Sequence, residues 1–376
     1  MSKKEINVDL ETITPLWTGD AWQKNTEIRP SSLMGSLRFW LEVICYFVLK
    51  KDFDSKKGRF EEEVNQDEFK KKLKSNSTDV KSQIETLIEM NIPVPSIIFG
   101  TTGWRGLIEI KEIKPLYDYC FGNKLNLPYA AAFTKSQLNQ LKEFNDKEEL
   151  NYFINNFYGK NFKDKDKNFK SQWSAFYFPN PYFYGEFTVK FLVEEEILDS
   201  IFYPLLNFMD KYGYWGGKWN IGYGRLKVKG VREGNNTVKW GMGEFNLGFI
   251  NNSNNNFNLG EYLNEVNKFE DLTKNNNNGK SIKMLSNQIS NSDFKDIIKN
   301  LIKIKANERA QHKNRGGSTE ERHKIFGTIE APPYKDSLPQ GSKILPYITK
   351  GEQGYCGGFL SIVDLLELYK GDEQNG

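Results

Sequence analysis

The chain has little of what most catalytic and cofactor chemistry needs. Its 376 residues include only three cysteines and two histidines. Cys45, Cys120 and Cys356 lie far apart with no CxxC pair, which disfavours both a zinc site and a disulfide framework. No metal or other cofactor is expected, and a reducing cytoplasm fits this cysteine usage. Long apolar runs are also missing. The longest, Leu37 to Leu49, is broken by Arg38 and Glu42, and residues 1–7 are charged and polar, so neither a membrane span nor a signal peptide is expected. Charge of one sign is scarce too. Lys and Arg number 52 against 49 Asp and Glu, so any surface for nucleic acid must be local rather than global.

Aromatic residues are abundant. They make up 14% of the chain, as 27 Phe, 18 Tyr and 8 Trp, enough for a large core with rings to spare for stacking. A chain this long exceeds the usual single domain, and the polar seam Glu233 to Thr237 suggests two domains, 1–235 and 236–376.

The organising stretch runs from Ile28 to Glu42. Pro30 followed by Ser31 and Ser32 is a helix-start signal, since a serine hydroxyl caps free N–H groups and the proline has none to lose. Helical spacing then puts Leu33, Leu37, Trp40, Leu41, Ile44, Phe47 and Val48 on one broad core-facing side. Ser31, Gly35, Arg38 and Glu42 align on the opposite side as a strip of roughly 60°. A solvated face is normally wide and rich in Lys and Glu. This one holds a serine, a glycine that lets a backbone approach and an arginine, beside a helix N-terminus, which is how a phosphate-contacting edge is built. An i, i+4 ion pair between Arg38 and Glu42, with Gly35 marking tight helix packing, accounts for the same residues. Arg29 and Ser32 flank the strip, and the preceding loop carries Trp17, Trp22 and Lys24, which either stack on a base or cover the core.

A second stretch, Tyr212 to Arg225, interleaves five glycines with Trp215, Lys218, Trp219, Asn220, Tyr223 and Arg225. Its N–H groups at Gly216 and Gly217 are free to approach a phosphate, next to rings and cations suited to bases and backbone. The spacing fits neither a GK[ST] phosphate loop nor a dinucleotide fingerprint. A tight turn before a closing strand explains the glycines but not the aromatics and cations. A third stretch is the most cationic: Arg309, His312, Lys313, Arg315, then Arg322, His323 and Lys324. It reads either as a solvated helix end or as a groove tracking an RNA backbone.

Elsewhere the pattern predicts a first strand over 6–13, helices over 79–90, 194–212 and 281–310, and two short helices within 130–158. It also predicts a hairpin of 173–178 with 183–193 about Pro179-Asn180-Pro181, a strand over 226–231, and strands over 344–349 and 358–363. Ile325-Phe326-Gly327-Thr328 echoes Ile98-Phe99-Gly100-Thr101, which points to an internal duplication.

The run Thr14-Pro15-Leu16-Trp17-Thr18-Gly19-Asp20, followed by Glu27 to Trp40, resembles the amino-terminal signature of RAMP-superfamily proteins, in particular the first-subunit family of type III-B CRISPR (Cmr) effector complexes. The resemblance implies an α+β fold of two ferredoxin-like, RNA-recognition-motif-like units with helical insertions. It also implies a non-catalytic role in antiviral defence, holding the 3′ portion of a guide RNA and a target RNA among the other Cmr subunits. The glycine stretch departs from the family pattern, with Lys218-Trp219-Asn220-Ile221 where an Arg-rich run is usual. Some RAMP relatives are instead metal-independent endoribonucleases that process guide RNA. That chemistry commonly uses a histidine, and His312 and His323 both sit among cations that oppose protonation.

Overall fold

Alternation of Ile6, Val8 and Leu10 with polar neighbours makes Lys3–Thr12 a strand (β1) whose apolar side is fully buried. In the computed structural model, the described residues are 3–19, 25–48, 63–73, 79–116, 121–122, 128–133, 173–177, 182–241, 245–246, 256–257, 262–274, 282–327 and 341–365. Helix α1 (Pro30–Val48) begins at the proline, where the Arg29 carbonyl accepts the N–H groups of Ser32 and Leu33. Leu33, Leu37, Trp40, Leu41 and Ile44 all point into the core, so the helical phase read from the sequence holds.

Three short helices follow: α2 (Gln66–Lys72), α3 (Val80–Glu89) and α4 (Val94–Phe99). Next come β2 (Ile108–Pro115), β3 (Phe121–Gly122), β4 (Pro128–Phe133), β5 (Trp173–Tyr177), β6 (Tyr182–Phe183) and β7 (Glu186–Glu194). Helix α5 (Tyr203–Lys211), β8 (Leu226–Glu233) and β9 (Asn236–Thr237) complete the first sheet, whose order is β2-β7-β1-β8-β9, antiparallel throughout. The path β1-α1-β2-β7-α5-β8 thus places its first and third long strands at the centre. Ile197, Ile201, Leu205, Phe208 and Met209 face the core from the helical segment before β8, as their spacing predicts.

A two-stranded pair, β10 (Phe245–Asn246) with β11 (Asn256–Phe257), leads to β12 (Leu263–Glu265) and α6 (Phe269–Thr273). The second sheet then forms from β13 (Ile282–Asn291), β14 (Ile344–Gly351) and β15 (Gly354–Ser361), with α7 (Phe294–Asn314) and α8 (Thr319–Phe326) between β13 and β14. Its order is β12-β13-β15-β14, and β12 runs parallel to β13. In both sheets the third strand of the path therefore pairs between the first and second. The Ile-Phe-Gly-Thr echo occupies matching places as well. Gly100 ends α4 at φ 90° and Gly327 ends α8 at φ 80°, a helix stop that only glycine makes without strain.

Three local expectations are corrected. Residues 282–291 are a strand, not the start of a helix. Asn291 Oδ1 accepts the Asp293 N–H at 3.0 Å and Asp293 Oδ1 accepts the Lys295 N–H at 2.9 Å, so the chain breaks there and the helix starts afterwards. Residues 130–133, expected to open a helix, lie in strand β4, and 134–158 fall outside the described residues. The hairpin about Pro179 does not form between the expected strands, because β7 is flanked on both sides by β1 and β2 while β5 pairs with β4.

The two sheets are joined through Arg225. Its guanidinium is buried and donates to the carbonyls of Asp210 at 3.1 Å, Lys211 at 2.8 Å and Gly213, all at the C-terminal end of α5, and to Ile348 of β14 at 3.3 Å. The rings of Tyr214 and Tyr347 lie at 5.4 and 4.8 Å from it. Tyr214 and Tyr347 donate in turn across the seam to the Pro346 and Lys211 carbonyls, at 2.8 and 2.5 Å. Replacing Arg225 with Ala would leave at least two buried carbonyls without donors, at about 1–3 kcal/mol each. Urea titration should show Arg225→Ala losing roughly 2–6 kcal/mol, with Arg225→Lys recovering less than half because an ammonium cannot span the cage.

Candidate nucleic-acid interface

The glycine loop is the meeting point of the two other stretches singled out in the sequence. It leaves α5 at Tyr212 and is seated on the segment before α1 by backbone hydrogen bonds. Gly217 N–H donates to the Trp17 carbonyl at 2.7 Å, and Gly224 N–H donates to the Pro15 carbonyl at 2.8 Å. Gly216 N–H donates to the Ser36 hydroxyl of α1 at 2.8 Å, and that hydroxyl donates to the Ser32 carbonyl. The half-buried Trp219 ring packs on Phe39 and Trp40 of α1 at 5.0 and 5.9 Å between centroids. From the other side, Lys305 of α7 donates to the Asn220 carbonyl at 2.9 Å. The loop tip thus stands between α1 and the cationic helix, with Asn220 exposed.

Backbone strain is concentrated in this loop. Gly216, Gly222 and Gly224 have φ of 69°, 87° and 85°, and Lys218 has φ 65°, a left-handed conformation that a lysine adopts at a cost. Burial holds the Lys218 ammonium below its ordinary pKa.

On α7 and α8 the cations crowd one another. Burial pushes Lys305 down to about 7, with Arg309 adding to the effect. Arg309 is lowered by burial and by Arg322, and His323 by burial and then by Arg322 and Arg309. Arg322 Nη2 lies 3.5 Å from His323 Nε2. Among the described residues, no carboxylate pairs with Lys305, Arg309 or Arg322, and the buried Arg322 Nε has no acceptor. Lys305 was missed by the sequence reading. The available signal was its position one helical turn before Arg309, on the same face.

The other expected contacts divide into three groups. Ser31 and Gly35 are exposed, and a Cβ on Gly35 would meet nothing within 4 Å, so this glycine marks open surface rather than tight helix packing. Arg29, half-buried, lies 3.5 Å from Glu27, and Ser32 is half-buried at the first turn. Others are turned to structural use. Arg225 and Tyr223 are fully enclosed and touch no surface, a correction whose cause is the seam described above. Arg38 donates to Glu42 at 3.1 Å and to the Gly100 carbonyl at 2.8 Å, tying α1 to the end of α4, so the ion pair is present. Arg315 clamps α6 to α7 through Glu270 at 3.0 Å and Glu308 at 3.3 Å, away from the Arg309–Arg322 cluster's uncompensated charge. Lys313 lies on α7, and Trp22 and Lys24 fall outside the described residues.

The chain belongs to the RAMP superfamily: the family model matches residues 9–227, more than half of its length. Three solved structures to which the chain is similar carry Cmr names. The crystal structure of apo Cmr1 from Pyrococcus furiosus aligns at 14% identity and TM-score 0.38, over 95% of this chain and 87% of that one. A chain from a cryo-electron microscopy structure of type III-B Cmr-beta bound to cognate target RNA and AMPPnP aligns at 11% identity and TM-score 0.43, over 98% and 99%. Cmr6 from Pyrococcus furiosus aligns at 17% identity and TM-score 0.25, over 60% of this chain and 98% of that one. No curated protein sequence matches significantly. Among the described residues, no group of His, Cys, Asp and Glu is arranged to hold a metal ion, and no helix is long and apolar enough to cross a membrane.

Gly216 and Gly217 should respond differently to a methyl group. A Cβ on Gly216 would strike the Trp17 carbonyl in a left-handed backbone, whereas one on Gly217 comes to 3.3 Å from the edge of the Trp17 ring. Thermal unfolding should therefore show Gly216→Ala losing about 1–3 kcal/mol and Gly217→Ala losing less than about 1 kcal/mol.

Proposed function

We propose that the chain is a non-catalytic RNA-binding subunit of a type III-B CRISPR (Cmr) effector ribonucleoprotein in the cytoplasm. There it holds the 3′ portion of the guide RNA and the target RNA beside the other Cmr subunits. The observation that carries this reading is that the glycine loop is held between α1 and the cationic helix α7, by the Gly216 to Ser36 and Lys305 to Asn220 hydrogen bonds. The Gly216 and Gly217 N–H groups are taken by Ser36 and Trp17, contrary to expectation, so the parts left for a sequence-independent single-strand groove are a partly exposed indole and cations without carboxylate partners among the described residues. Membership of the RAMP superfamily and the amino-terminal signature agree with it.

We further infer that the two sheets are two ferredoxin-like units, in domains 1–235 and 236–376. The path β1-α1-β2-β7-α5-β8, with order β2-β7-β1-β8, is the arrangement such a unit requires. In the second unit β13, α7, β14 and β15 follow the same course, and β12 takes the edge position beside β13.

The competing reading is guide-RNA cleavage by a histidine. His312 Nε2 lies 3.8 Å from Glu321 Oε2 and its ring packs edge-on against Phe326, while His323 is held toward its neutral form by burial and two arginines. One experiment separates the two. Labelled guide RNA incubated with the purified chain in EDTA should be retained uncut on a filter; a cleavage product that disappears in His323→Ala would establish the nuclease instead. Arg309→Ala and Arg322→Ala should each weaken retention and flatten the salt dependence by about one phosphate contact, with little regard to RNA sequence.

A further inference from the structure

The polar face of the first sheet, opposite the buried Ile6, Val8 and Leu10, carries a groove of about 330 Å³. Asn7 of β1 lines it between Lys190 of β7 and Arg232 of β8, its register partners on either side, and Asn235 in the turn after β8 lines it too. The lysines there are answered by carboxylates. Lys190 lies 3.1 Å from Glu5 and 3.9 Å from Glu112, and Lys114 lies 2.9 Å from Glu112. Arg232 differs, because its single contact runs from Nη2 to Asp9 Oδ1 at 2.8 Å while 44% of its side chain stays exposed. Among the described residues its Nε and Nη1 meet no acceptor, and the amides of Asn7 and Asn235 meet no partner. A guanidinium held at one nitrogen keeps an open fork, which matches a carboxylate, and neighbouring amides add further donors.

We infer that this groove is a docking site for another protein chain, whose acidic side chain is received by Arg232 with Asn7 and Asn235. The inference goes beyond RNA binding and uses none of the residues assigned to it.

Charge decides which occupant fits. A nucleic-acid strand carries a phosphate at every step, and those following the first would meet Glu5, Asp9, Glu11 or Glu112 on the same face. The groove also has no aromatic ring on which a base could stack. A single carboxylate needs only the one fork. A free small acid is poorly held, since every lining residue except Gly234 has a polar or charged side chain and no apolar wall is there to bury it. A protein partner supplies the remaining contact across the surrounding face, with the ion pairs there as its polar rim.

The test uses the full-length tagged chain recovered with its natural partners. A carbodiimide, which joins a carboxylate directly to a neighbouring amine, should link Lys114 or Lys190 to an Asp or Glu of a different protein chain, mapped by mass spectrometry. Arg232→Glu should lower recovery of that chain roughly tenfold, and reversing the mapped carboxylate to Lys should restore it. Retention of labelled guide RNA by the purified chain should stay unchanged. Where Arg232→Glu fails to fold, Asn235→Asp, which touches no ion pair, should still lower recovery about threefold. Links from both lysines that stay within the chain, or recovery unchanged in the folded variants, overturn the docking site. Loss of RNA retention in Arg232→Glu with the partner still recovered overturns it too, and makes the groove an RNA contact.

Discussion

The structure depends on one buried guanidinium. Taking a cation out of water costs several kcal/mol, and Arg225 recovers that cost from carbonyl oxygens rather than from a carboxylate. The carbonyls at the end of α5 have no donors within the helix, and the partial negative charge of the helix terminus lies where the guanidinium sits. The same side chain reaches Ile348 in the second sheet, with Tyr214 and Tyr347 against it. Helix end, glycine loop and β14 are therefore fixed by a single residue, and the orientation of the loop follows from it.

That constraint explains why the loop is costly to build and why its cost is worth carrying. Three glycines and Lys218 hold left-handed backbone because the chain must return to β8 within a few residues while its N–H groups reach Ser36, Trp17 and Pro15. The hydrogen bonds fix the tip in place before any ligand arrives. A flexible loop of the same composition would lose conformational freedom on binding, at about 0.5–1.5 kcal/mol for each rotamer-rich side chain that becomes ordered.

Much of this was legible in sequence where periodicity governs. The phase of α1, the strand β1, the inward residues of the helical segment before β8 and the site of the glycine loop all follow from spacing and turn chemistry. What was not legible is partner choice. An arginine that closes a helix end and one that meets a phosphate look alike in sequence, so Arg225 and Arg315 read as contacts when their acceptors lie elsewhere in the fold. Tyr223 was misread for the same reason, since a ring beside glycines can as well fill a core. Lys305 erred the other way: flanked by Ile304 and Ala306 it looked like an ordinary helix residue, and only packing against the loop reveals its setting. The strand at 282–291 was lost because tertiary pairing with β15 overrides an ambiguous local pattern.

A near-neutral chain can still present a strong local field, and the first sheet supplies the contrast that makes this clear. On its open face Lys190 pairs with Glu5 at 3.1 Å, Arg232 with Asp9 at 2.8 Å, and Lys229 and Lys350 with Glu11 at 3.0 and 2.7 Å. The two lysines hold the Glu11 carboxyl below its usual range against the opposing effect of burial. Each of these cations has a carboxylate partner, and Glu11 serves two of them. Around Lys305 and Arg309 the answering charges are missing, so an excess of only three positive charges over the whole chain is enough to leave one edge attractive to a polyanion. It is the pairing of charges across the fold, rather than their number in the composition, that separates a closed face from an open one.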